Sequence, residues 1–68
     1  MTEKFYNYTV YSNSIFSKPV QTGICTKLDE HFVEDTPMLS TVYFFDINKN
    51  QYYCFYSYRV KFWEISPR

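Results

Sequence analysis

From Gln51 to Ile65 the chain reads QYYCFYSYRVKFWEI, fifteen residues dominated by aromatic and β-branched side chains, with no glycine or proline to interrupt them. Such a composition is that of a β-strand. At roughly 3.3 Å per residue, however, a straight strand of this length would span about 50 Å. The chain has only 68 residues, one small domain from 1 to 68, which is far less deep than that. The arm must therefore bend, near Ser57 or Arg59, into two pairing segments.

The remaining strands follow from the same reading. Ser40 to Ile47, STVYFFDI, is a strand rich in β-formers, and Asn48-Lys49-Asn50 after it is a hairpin turn, because Asn tolerates the left-handed backbone that such loops need. Lys4 to Ser12 alternates, with Tyr6, Tyr8 and Val10 on its more apolar side. Ser12-Asn13-Ser14 is a turn, and the run from Phe16 to Pro19 is an irregular connection. Val20 to Leu28 alternates again, and Gly23 within it marks a bulge or a close backbone approach. Between Leu28 and Asp35 the two-residue period breaks. Leu28 and Phe32 are spaced for one side of a short helix, which Thr36-Pro37 would stop. The predicted fold is a small single domain, β-rich or α+β: an antiparallel sheet of four to five segments with a C-terminal hairpin and at most one short helix near 28–35. The hairpin from Ser40 to Tyr58 is its centre.

Sixteen aromatic residues supply the core, since each buries on the order of 150–250 Å². A chain this apolar is not disordered. Its start, MTEKFYNYTV, lacks the apolar stretch of a secretory signal, and no run approaches the roughly 18 apolar residues of a membrane helix. The expectation is a cytoplasmic protein with no membrane partner. Cys25 and Cys54 lie far apart in sequence and match no zinc spacing, so two buried, reduced thiols are expected.

Chemistry is sparse in this sequence. His31 is the single histidine, and Asp35 would share its face only on a helix, so no metal or cofactor is expected. Without a phosphate-binding glycine loop, a nucleophile elbow or a base beside an activated Ser or Cys, the chain does not read as an enzyme and no catalytic residue is assigned.

Two surfaces are candidates for binding. In the last arm the even positions, Tyr52, Cys54, Tyr56, Tyr58, Val60 and Phe62, are the better core. The odd ones, Tyr53, Phe55, Arg59, Lys61 and Trp63, would then form an exposed face that mixes aromatics and cations. Such residues dominate protein interfaces and also stack on nucleic-acid bases. The second surface is the acidic block Asp29, Glu30, Glu34 and Asp35, which suits a basic partner. Seven basic and seven acidic residues cancel, which argues against a general polyanion binder and leaves little repulsion between copies. A homodimer is one expectation from that neutrality. The bias toward Phe, Tyr, Asn, Ile and Lys, with no Ala, resembles in composition the small accessory proteins of bacteriophages. That resemblance implies a module that binds, and inhibits or redirects, a host protein in the host cytoplasm. The alternative is a single-stranded nucleic-acid binding module using the C-terminal strand.

Overall fold

The structure, a computed structural model, describes residues 3–65. Five strands form one antiparallel sheet: β1 (Phe5–Tyr11), β2 (Pro19–His31), β3 (Thr41–Asp46), β4 (Gln51–Tyr56) and β5 (Val60–Glu64). Their spatial order is β4-β3-β2-β1-β5. The longest dimension is 37 Å, so the C-terminal arm cannot run straight. It breaks at a 3₁₀ turn, Ser57–Arg59, after which the chain leaves β3 and pairs with β1 on the far side of the sheet. The first hairpin strand, the serine turn and the late bend are all where the sequence places them.

The sheet is strongly curled. Phe44, at the middle of β3, packs 6.0 Å from the Phe55 ring on one edge strand and 5.4 Å from the Phe62 ring on the other. A flat sheet could not bring strands on both edges to one ring, so the inner face closes into an open barrel. Its buried centre is Tyr8, Val10, Cys25, Val42, Phe44 and Val60, with Tyr6, Leu28, Tyr53, Phe55 and Phe62 packed around it. The single glycine of the chain, Gly23, sits at the tightest point. A Cβ there would lie 2.6 Å from Asp46 Oδ2 and 2.9 Å from Tyr8 Cε1, so only glycine leaves room for that pair.

No helix forms near 28–35. β2 continues through His31, and the loss of the two-residue period is a β-bulge: Lys27 adopts φ 56°, and the register steps from Thr26↔Phe45 to Asp29↔Tyr43. One extra residue on a strand shifts its alternation by one, which in sequence resembles the start of a helix. Leu28 turns into the core, whereas Phe32, its presumed helical neighbour, is exposed.

The face assignment of the C-terminal arm is corrected in its first half. A three-residue loop at Asn48–Asn50 would set Phe44 opposite Cys54 and bury the even positions. The loop has four residues, with Asp46 opposite Gln51 and Phe44 opposite Tyr53, so Tyr53 and Phe55 face inward. A slip of one residue inverts a whole strand. After the 3₁₀ turn the parity changes back, because Phe55 and Val60 are five apart and both face the core. Even positions are thus inward in β5 only. Cys54 is exposed rather than buried for the same reason.

Phe44 is fully buried and touches rings from four residues of the inner face. Phe44→Ala is expected to cost about 3–5 kcal/mol, read as a lowered urea midpoint; a loss below about 1 kcal/mol would contradict this packing.

Candidate functional site

The most elaborate polar arrangement is internal. The carboxylate of Asp46 is fully buried at the end of β3. Its Oδ1 accepts hydrogen bonds from the backbone N–H of Asn48 at 2.9 Å and of Lys49 at 2.8 Å, which fastens the four-residue loop. Its Oδ2 accepts from the Tyr8 hydroxyl, and the Lys49 ammonium lies 3.4 Å away. Gln21 Nε2 in turn donates to Tyr8 Oη at 2.9 Å. Burial alone would raise the Asp46 pKa; the Tyr8 hydroxyl and the Lys49 amide and ammonium outweigh it and hold the carboxyl below its ordinary range. Burial, reinforced by Asp46, pushes the Tyr8 hydroxyl far above its usual value, so Tyr8 stays a donor. Burial and then the same negative charge raise the Cys25 thiol to about 11. Every member has a partner within the protein, which is the character of a structural network.

The five residues nominated from the last arm do not form one surface. Tyr53 and Phe55 point inward and stack at 6.0 Å, both against Phe44. Arg59 donates from Nε to the Tyr11 carbonyl at 2.9 Å and lies over the Phe55 ring, tying the 3₁₀ turn to the end of β1. Lys61 and Trp63 lie together on the outer side of β5, with the ammonium 5.8 Å from the ring centre. The acidic block is divided as well. Asp29 and Glu30 are on β2, where neighbouring positions face opposite sides, while Glu34 and Asp35 lie in the following loop. With no helix, His31 and Asp35 share no face. Among the described residues no three His, Cys, Asp or Glu side chains converge as a metal site.

A different surface emerges on the outer side of the β3–β4 hairpin. Tyr43, Tyr52 and Tyr56 on it are 51%, 60% and 42% exposed, and Tyr58, beyond it in the 3₁₀ turn, is 39% exposed. Phe45 packs against Tyr52 across the strands at 4.8 Å, and Tyr56 stacks on Tyr58 at 5.6 Å. Lys27, displaced by the bulge, covers the Phe45 ring. Among the described residues β4 has β3 as its only strand neighbour, and it carries neither proline nor a charged side chain, the usual guards of an open edge. This face follows from the length of one loop, and counting the hairpin with four loop residues would have revealed it. No helix is long and apolar enough to cross a membrane among the described residues. Comparison with protein families, with curated proteins and with solved structures gives no match to this chain.

Two outcomes are expected. A carboxyl held low in the folded state contributes its full stability above its unfolded pKa and loses it as pH falls through the lower, folded value. Urea midpoints of the wild type are therefore expected to fall below about pH 4, the ordinary Asp range. Asp46→Asn should remove this part of the acid dependence and cost about 1.5–3 kcal/mol at neutral pH. With iodoacetamide, Cys54 should be alkylated in the folded protein at least about tenfold faster than buried Cys25, and denaturation should equalise the two.

Proposed function

We propose that the chain is a small protein-binding module and that the outer face of the β3–β4 hairpin is its contact surface. The observation that carries this reading is the group of three half-exposed tyrosines, Tyr43, Tyr52 and Tyr56, on an unguarded edge hairpin, with Tyr58 of the adjoining 3₁₀ turn stacked on Tyr56. Tyr is enriched where interface energy concentrates, because it brings a large rigid ring and a polar tip at small entropic cost. The open edge of β4 adds backbone donors and acceptors to which an extended partner segment, or a second copy of the chain, can add a strand. In the accessory-protein setting the partner is a host protein that the module inhibits or redirects.

Single-stranded nucleic acid fits this surface less well. Binding a strand calls for cations interleaved with stacking platforms along the backbone path. Here Lys27 over the Phe45 ring is a single cation, Arg59 is engaged by Tyr11, and Lys61 lies on β5, at the opposite end of the strand order from β4.

Affinity capture with tagged chain from nuclease-treated bacterial lysate tests the reading. The combined Tyr43→Ala and Tyr52→Ala variant should weaken capture of a protein partner by about 2 kcal/mol or more, some thirtyfold, while its urea melt stays cooperative and loses only roughly 1–2 kcal/mol from the missing cross-strand packing. Trp63→Ala should retain capture. Loss in Trp63→Ala with the tyrosine variant unaffected would move the contact to β5, and disappearance of all partners with nuclease would favour nucleic acid.

A further inference from the structure

Among the described residues β1 pairs with β2 only as far as Thr26, so from Leu28 to His31 the strand beside β2 there is β3 alone. There the inner face opens into a cleft of about 130 Å³, walled by Leu28, Val42 and Phe62 together with Glu30 and Ser57. An apolar cavity of about 150 Å³ holds one benzene-sized group, whereas pockets for drug-sized ligands start near 300 Å³, so this cleft suits a single side chain. Its electrostatics are one-sided. The Glu30 carboxylate receives one contact, from Ser57 Oγ at 3.3 Å, and forms no ion pair among the described residues.

We propose that this cleft receives an arginine side chain of a protein partner. The methylene stem lies against Leu28, Val42 and Phe62, and the guanidinium meets Glu30. An amphipathic stem with a charged head matches apolar walls that end in a carboxylate. Arginine fits better than lysine, because its planar fork pairs with a carboxylate through two hydrogen bonds and is less strongly hydrated. The proposal rests on the chain being a protein-binding module. It lies on the inner face, whereas Tyr43 and Tyr52, the residues changed in the capture test, face outward, so the two surfaces are separately testable.

The probe is N-acetyl-arginine amide, titrated into nitrogen-15-labelled chain while amide shifts are followed. Saturable shifts are expected at Leu28, Glu30, Val42, Ser57 and Phe62, with a dissociation constant of about millimolar order for so small a ligand. Glu30→Gln, an exposed change that leaves the fold intact, should weaken binding at least about fivefold, and N-acetyl-lysine amide should bind more weakly than the arginine probe. N-acetyl-citrulline amide, nearly the same shape without the charge, should not saturate. Shifts that do not saturate, or that Glu30→Gln or the citrulline probe leaves equal, overturn the proposal. If saturable binding is lost while tyrosine-dependent capture persists, the cleft assignment alone falls. If the cleft saturates and capture does not depend on the tyrosines, the cleft stands and the outer-face reading falls.

Discussion

One buried carboxylate organises this small sheet. Placing Asp46 out of water costs several kcal/mol unless its oxygens are fully engaged. The fold engages them with Tyr8 from β1, two amides of its own loop, and the Lys49 ammonium, which also reaches the Thr22 carbonyl of β2. Three strands and the hairpin tip thus converge on one group. Gly23 is required because any larger residue would occupy the space between Asp46 and Tyr8. The two amide contacts also fix the loop at four residues, so the same interaction that offsets the buried charge sets the register of β4.

Register then decides what the protein shows to its surroundings. Three local devices each change the alternation by one: the four-residue loop after Asp46, the bulge at Lys27 and the 3₁₀ turn at Ser57–Arg59. Together they send Phe55 and Phe62 inward to meet Phe44 from both edges, and they leave Tyr52, Tyr43 and Tyr56 outward. Core and outer surface are therefore built from the same residue types. In a chain with sixteen aromatics, hydrophobicity alone does not distinguish the two, and only parity does.

The charges follow the same logic. They sum to zero, yet the bulge keeps β2 in the sheet through His31, where Glu30 meets Ser57 beside an apolar cleft while Glu34 and Asp35 remain in a loop. The basic residues are used differently: Lys49 neutralises a buried acid, Arg59 braces a turn, and Lys27 and Lys61 each cover an aromatic ring. A surface organised in this way offers tyrosine rings and a carboxylate to a partner, and few unengaged cations.

The sequence by itself determined the antiparallel sheet, the positions of β1 and β3, a turn at Asn48–Asn50, the bend near Ser57, the apolar side of β1 with Tyr8 and Val10, and the special place of Gly23. Each of these depends on local preference: β-branched and aromatic enrichment, turn-forming Asn, or a length too great for the domain. What faces inward on β4, whether residues 28–31 continue a strand, and which aromatics are exposed were decided only by the tertiary structure. Tyr53 and Tyr52 are chemically identical neighbours, and one is packed on Phe44 while the other is open. Their difference arises from the loop that the Asn48 and Lys49 amides close on Asp46, a carboxylate whose burial depends on Tyr8 from the distant β1, and a bulge or an added loop residue leaves no compositional mark while inverting every side chain that follows.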